Sequence, residues 1–206
     1  MSGPQRYVPE PDDPARPRLF FAVPIPDPAR RLVAEVMARV QASVGDGRAK
    51  IRWVRVDGLH LTLRFLGQTP HERVAGLARM LDALGAATSS FPVTIARAGA
   101  FPNPSRPRTL WLGIERGAAE LAKLAVDLEA GVAVDGQPLA TKPFAPHLTI
   151  ARTDGLRAAG AAATALREAA ESLEATFTAE RVVLFQSHLG KGPASYEALH
   201  EATLTG

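Results

Sequence analysis

The chain has 206 residues, and 24 Lys and Arg against 21 Asp and Glu leave a net charge of +3 with histidine neutral. A hydrophobic fraction of 46% and a charged fraction of 22% are those of an ordinary globular protein, sized for one large domain or two small lobes. With no cysteine, disulfides, thiolate metal sites and a cysteine nucleophile are excluded. No apolar run approaches the ~20 residues that a membrane-spanning helix needs. The 24 cations comprise 20 Arg and 4 Lys, so the small net charge favours anionic partners only weakly and the placement of each arginine matters more than the total.

Residues 1–17 contain five prolines and no apolar core, which is unlike a signal peptide and reads as a disordered tail on a cytoplasmic protein. From Arg18, the run Leu19 to Val23 reads as a buried strand stopped by Pro24 and Pro26. Asp27 and Pro28 can open a helix, whose stripe Leu32, Val33, Val36, Met37 and Val40 should end before Gly45. Ile51, Trp53 and Leu59 to Leu66 are strand material, rich in β-branched and apolar residues. A second helix carries Val74, Leu77, Leu81 and Leu84. Phe91 to Ala98 reads as a strand, and the Pro-rich stretch Arg97 to Arg108 as a loop. Leu110 to Ile114 is a strand and Ala118 to Ala130 a helix. His147 to Ala151 is a strand entered past Pro143 and Pro146, and Leu156 to Ser172 is helical. Phe177 to Gln186 and Tyr196 to Leu204 close the chain as strands around a Gly190–Pro193 turn.

The element order repeats. Leu19 stands 41 positions before His60, and Leu110 stands 37 before His147. Two strand-helix-strand-helix-strand units over about 18–100 and 108–204 predict a duplicated α+β domain over 18–206. It should be bilobal, with two antiparallel sheets facing a central cleft and helices on the outer faces. A site built from such halves belongs between them.

Both middle strands carry the same words, His60-Leu61-Thr62-Leu63 and His147-Leu148-Thr149-Ile150. Side chains alternate along a strand, so each His shares a face with its Thr while the aliphatic pair faces the helices. One His-x-Thr is a weak signal; two, at equivalent places in a repeat, are specific. Two imidazoles on one cleft suit proton transfer near neutral pH, one accepting from water and the other donating to a leaving oxygen. The threonine hydroxyls can hydrogen-bond phosphate oxygens, and an arginine at the rim can neutralise a phosphodiester. No Asp, Glu or third His near either motif completes a metal site, so neither metal nor other cofactor is expected.

The paired His-x-Thr tetrapeptides resemble those of the two-histidine phosphoesterases, also called the 2′-5′ RNA ligase family. The resemblance extends to Arg18–Ala22, Leu59–Gly67, Leu110–Gly113, Pro143–Arg152 and Leu184–Leu199, words similar to the bacterial and archaeal RNA 2′,3′-cyclic phosphodiesterase branch. It implies a bilobal fold and hydrolysis of RNA 2′,3′-cyclic phosphate ends to 2′-phosphomonoesters. It further implies His60 as proton donor, His147 as proton acceptor, and Thr62, Thr149 and Arg152 as phosphate ligands. Arg152 lies at an odd offset from His147, so it reaches the cleft only if the strand has ended or twisted. Arg64 has the parity of His60 and a cleft position open to it, although the family does not require it.

Other residues carry weaker readings. Phe65, Phe101 and Phe144 can stack on a base, but core packing is the commoner role, and Phe65 has the parity of buried Leu61 and Leu63. Arg48, Lys50, Arg52 and Arg55 either follow an RNA backbone or solvate an edge strand. Arg106 and Arg108 are open between the same two roles. His71, His188 and His200 read as structural or surface groups. Ser187 and Tyr196 match family positions loosely. The expected partner is RNA ending in a 2′,3′-cyclic phosphate, tRNA fragments among the sources, turned over by a monomer away from membranes. Three alternatives stay open: a phosphodiesterase for small cyclic nucleotides or ADP-ribose cyclic phosphate, a non-catalytic module that grips RNA ends, and ligation as the reverse reaction.

Overall fold

A computed structural model describes residues 13–44, 50–134, 139–140, 143–154, 159–190 and 193–206. Nine strands and four helices are defined among them. In chain order they are β1 Arg18–Pro24, α1 Asp27–Val44, β2 Ile51–Trp53, β3 His60–Gln68, α2 Val74–Ala86, β4 Phe91–Phe101 and β5 Thr109–Arg116. There follow α3 Ala118–Val134, β6 His147–Thr153, α4 Gly160–Ala169, β7 Ala175–Ala179, β8 Arg181–His188 and β9 Ser195–Thr203. The fold is α+β, with two antiparallel sheets facing a cleft. One sheet has the order β3-β1-β8-β9 and the other β2-β6-β5-β4-β7.

The elements form for the reasons their sequences give. In α1 the buried positions Ala29, Val33, Val36, Met37 and Val40 make one stripe at helical spacing. In β7 strict alternation buries Ala175, Phe177 and Ala179 and exposes the threonines between them. Among the described residues no helix is long and apolar enough to cross a membrane.

The lobes do not follow the two halves of the sequence. α1, from the first half, packs on α4 and β7 of the five-stranded sheet, while α3, from the second half, packs on β3 of the four-stranded one. Likewise β4 lies between β5 and β7, and the closing hairpin β8–β9 adds to β1. Element order repeats as expected, yet each lobe borrows strands and a helix from the other half, so neither half holds a complete sheet.

Four local expectations need correction. The stretch Phe177 to Gln186 is two strands, because the chain turns at exposed Glu180 and leaves one sheet for the other. β4 runs to Phe101, further than its Pro-rich ending suggests, since Gly99, Ala100 and Phe101 still pair with Trp111, Leu110 and Thr109. Residues 13–17 are not loose: Pro17 is buried, its carbonyl accepts from Thr69 N–H at 3.0 Å, and that of Ala15 accepts from His71 N–H at 2.9 Å. The helix expected over 156–172 is Gly160–Ala169, with 155–158 outside the described residues, as are Lys191 and Gly192 of the closing turn and residues 1–12 of the tail.

β2 is the edge of the five-stranded sheet, paired only with β6, and so belongs to the opposite lobe from β3 although only six residues separate them. Arg52 thus sits on an edge strand. Arg48 and Ala49 lie outside the described residues, Lys50 is exposed, and exposed Arg55 pairs with Asp57.

Candidate active site

His60 opens β3 and His147 opens β6, one in each sheet. Each imidazole is anchored in the same way. Nδ1 of His60 donates to the carbonyl of Gly58 at 2.7 Å, and Nδ1 of His147 donates to that of Ala145 at 2.7 Å. A carbonyl can only accept, so the bond places a hydrogen on Nδ1 and leaves Nε2 of each neutral ring with a lone pair for chemistry. Leu61, Leu148 and Ile150 point the other way and are buried at 1%, 0% and 0% exposure, as the alternation requires.

Both strands then break alternation at the same point. In β3, Thr62 opposes Ala22 and Arg64 opposes Phe21, leaving Leu63 as an extra residue. In β6, Thr149 opposes Trp111 and Ala151 opposes Leu110, leaving Ile150 extra. Each bulge lies three residues after the histidine and resets the faces. The residue five after each histidine therefore returns to the cleft, and these residues are Phe65 and Arg152. The odd offset of Arg152 is resolved by a bulge rather than by the end of the strand. Arg152 is exposed, and its positive charge disfavours protonation of His60 in the other sheet. β3 and β6 also lie against each other, so the strands that carry the two motifs meet at one cleft.

The same bulge corrects two parity readings. Phe65, expected with the buried aliphatics, is 47% exposed on the cleft side, with Arg18 over its ring at 5.4 Å. Arg64, whose parity offered it the cleft, lies on the helix side and forms an ion pair with Glu129 of α3. Phe144 packs against the core as expected, whereas Phe101 is 39% exposed and meets His147 edge-on at 5.2 Å.

Aromatic rings wall both histidines. Phe20 lies 4.8 Å from His60, Tyr196 stands edge-on to it at 4.8 Å, and Phe185 stacks on Phe20 at 5.3 Å. Around His147 stand Phe101 and, at 6.4 Å, Trp111. Trp111 lies flat on Gly99, where any Cβ would meet its ring at 2.2 Å, so this position accepts only glycine. Phe20, Phe185, Tyr196 and Trp111 were legible as strand residues within family-like stretches but not as site walls; of the four, only Tyr196 was singled out, as a loose match to a family position. Burial lowers the pKa of His60 to about 4, aided by Arg152 and opposed by the Gly58 carbonyl, and burial likewise raises that of the Tyr196 hydroxyl.

Beside His60 opens a cavity of about 590 Å³, bounded by Pro24, Arg30, Arg181, Phe185, Ser195 and Tyr196. Thr62 is exposed and Thr149 half-buried, and neither hydroxyl bonds to a described residue. His71 is exposed, His188 pairs with Glu197 at 3.0 Å and His200 with Asp82 at 2.6 Å, the surface roles expected of them. Ser187 is buried, and the exposed Arg106 and Arg108 border a turn in which Arg106 N–H donates to the Asn103 side chain at 3.0 Å. No group of three or more His, Asp or Glu side chains converges as metal ligands among the described residues.

The lowered pKa of His60 has a consequence for stability. Above pH ~6.5 the ring is neutral both folded and unfolded, so it contributes no pH dependence. As pH falls from ~6.5 towards 4 the unfolded chain takes up a proton that the folded chain refuses, and stability is lost, by about 3 kcal/mol at most. The stability difference between pH 7 and pH 4.5 in urea unfolding is expected to shrink by about 2 kcal/mol in His60→Gln. An unchanged difference would contradict the burial of His60.

Two antiparallel sheets, each opening a strand with a carbonyl-anchored histidine followed by a cleft-facing threonine, define a two-histidine phosphoesterase. A family model described as the 2′-5′ RNA ligase superfamily matches residues 25–191, and the chain belongs to that superfamily. It is 29% identical over 200 residues to an RNA 2′,3′-cyclic phosphodiesterase of Geobacillus stearothermophilus, covering 93% of this chain and 58% of that protein, less than two thirds of its length. It is 29% identical over 165 residues to an RNA 2′,3′-cyclic phosphodiesterase of Aeropyrum pernix, covering 80% of this chain and 93% of that one. Among solved structures, E. coli LigT complexed with 3′-AMP superposes with a TM-score of 0.69 at 25% identity, covering 93% of this chain and 99% of that one.

Proposed function

We propose that the protein hydrolyses RNA 2′,3′-cyclic phosphate ends to 2′-phosphomonoesters, by proton transfer between two histidines and without a metal. The observation that carries this reading is the matched anchoring of His60 and His147, one at the start of a strand in each sheet, which leaves Nε2 of each ring for proton transfer, with the charge of Arg152 acting on His60. The names of the relatives supply the substrate class.

In this reaction Nε2 of His147 takes a proton from water as the water oxygen bonds to phosphorus. The P–O3′ bond breaks, and Nε2–H of His60 gives its proton to O3′, leaving a 3′-hydroxyl and a 2′-phosphate. Thr62 and Thr149 donate to the non-bridging oxygens, and Arg152 neutralises their charge. In-line attack puts water and leaving oxygen on opposite sides of phosphorus, so the ribose lies towards His60, where the cavity beside Phe185 and Tyr196 can hold the nucleoside. Burial keeps His60 neutral at neutral pH. Burial is the larger cause of this low pKa, so a bound phosphodiester, by offsetting the smaller contribution of Arg152, raises the protonated fraction of the donor without restoring its ordinary value.

The low pKa of His60 favours a second reading in which the roles are exchanged, His60 being the base. The variant Tyr196→Ala separates the two, because a donor at His60 requires the nucleoside in the neighbouring cavity, where this substitution should raise KM about 10-fold; an unchanged KM would favour the exchanged roles. Both histidines come from one chain, which supports a monomer as the working form. RNA fragments, those of tRNA among them, and a cytoplasmic setting complete the reading.

The direct test mixes purified protein, chelator and an oligonucleotide ending in a 2′,3′-cyclic phosphate. The expected product is the 2′-phosphate at an unreduced rate. Stoichiometric binding without product would overturn catalysis, and abolition by chelator would overturn metal independence.

A further inference from the structure

The pairing of β2 with β6 sets Arg52 directly opposite Arg152. Cross-strand partners share a face, so both guanidiniums emerge on the cleft side of the five-stranded sheet, and both residues are exposed. Their neighbours confirm the orientation: Ile51 and Trp53 pack against the core, and Ala151 and Thr153 are buried. Like charges directly opposite on a sheet destabilise it. No ion pair or hydrogen bond to a described residue relieves either arginine. A carboxylate beside them would have removed the repulsion; the fold instead keeps two cations side by side at the cleft.

We propose that Arg52 and Arg152 form one anion site, and that Arg52 is a second guanidinium for the phosphate undergoing reaction. This rests on the reading that the reacting phosphate lies at Arg152. The need for two cations follows from the charge balance of that reaction. The cyclic diester carries one negative charge. Once water has lost its proton to His147, the oxygen bonding to phosphorus brings the transition state towards two negative charges; protonation of O3′ by His60 leaves a monoanionic product, whose remaining P–OH proton, with a pKa of ~6, is then lost to solvent to give two. The phosphate gains negative charge while the donor loses positive charge, so one arginine that balances the substrate leaves the product and late transition state half-neutralised. The second guanidinium acts on the charge that develops. Arg52 therefore reads as a site residue and not only as a cation that keeps an edge strand soluble.

The test uses Arg52→Ala and Arg52→Lys in the full chain, with three readouts: thermal stability, kcat and KM on a cyclic-phosphate oligonucleotide, and inhibition by adenosine 2′-phosphate. Removing one of two apposed charges should leave the melting temperature unchanged or raised. For Arg52→Ala, kcat should fall about 10-fold or more with KM changed less than threefold, and the inhibition constant for the 2′-phosphate should rise about 10-fold. Arg52→Lys, a point charge without the planar fork, should recover part of both. A structural arginine would instead lower the melting temperature and leave the inhibition constant alone. Product affinity and kcat in Arg52→Ala equal to the unsubstituted chain would overturn the proposal. If the unsubstituted chain failed to turn over any cyclic end, the functional reading would fall by itself; tight binding of the 2′-phosphate that Arg52→Ala abolishes would still support the anion site.

Discussion

Replacing either His60 or His147 with alanine is expected to lower kcat on a 2′,3′-cyclic RNA end by about 10²–10⁴-fold while the fold persists. The two rings perform different proton transfers, so each loss removes one arm of a bell-shaped pH profile. The double variant should be little worse than the poorer single one, because groups that act in one step do not contribute additively. The stability effects differ between the lobes. His60 fills a wall between Phe20 and Tyr196, so its removal leaves a gap and should lower stability by about 1–2 kcal/mol. His147 is bounded by the exposed Phe101 and costs less. Rate and melting temperature measured on the same samples separate lost chemistry from lost structure. Turnover by either alanine variant at the unsubstituted rate would end the two-histidine account.

Much of this site was legible because its two motifs sit where local rules suffice. His60, Thr62, His147 and Thr149 lie within the first three residues of their strands, before either bulge, so simple alternation assigns their faces correctly. Beyond Leu63 and Ile150 it fails. A bulge is one residue without a partner, and its position depends on the register of the neighbouring strand, β1 in one lobe and β5 in the other. Nothing local in Leu63 or Ile150 marks it. Phe65, Arg64 and Arg152 were therefore all uncertain or misassigned for one physical reason. The exchange of strands between lobes was hidden in the same way. Repeat order can be read along the chain, but that β4 joins β5 and that β8 returns to β1 is decided by long-range pairing. Consequently Arg52, four residues before the helical turn at Val56–Gly58 and eight before His60, was read with the first motif, although its strand pairs beside the second.

Arg152→Ala is expected to lower kcat/KM on the cyclic end by about 10²–10³-fold, the range for loss of a preorganised group that stabilises developing charge. Arg152→Lys should recover only part, because a single ammonium cannot span two phosphate oxygens. The effect on His60 discriminates this role from a structural one. Burial is the larger cause of the low pKa of His60, and the charge of Arg152 adds to it. Removing the guanidinium should therefore raise the His60 pKa from about 4 without restoring its ordinary value, a shift that imidazole NMR titration reads directly. Because Arg152 faces Arg52 across the strand pair, its removal also relieves a like-charge contact, so the rate loss should come with no loss of melting temperature. Deleting Ile150 offers an independent check. With the extra residue gone, plain alternation after Thr149 puts Ala151 on the helix face and Arg152 on the cleft face, so the variant should keep the Arg152 contribution to the low His60 pKa although the strand no longer bulges. An unmoved His60 pKa in Arg152→Ala would mean that the guanidinium does not share the cleft with His60, and the two sheets would then have to be read as separate surfaces.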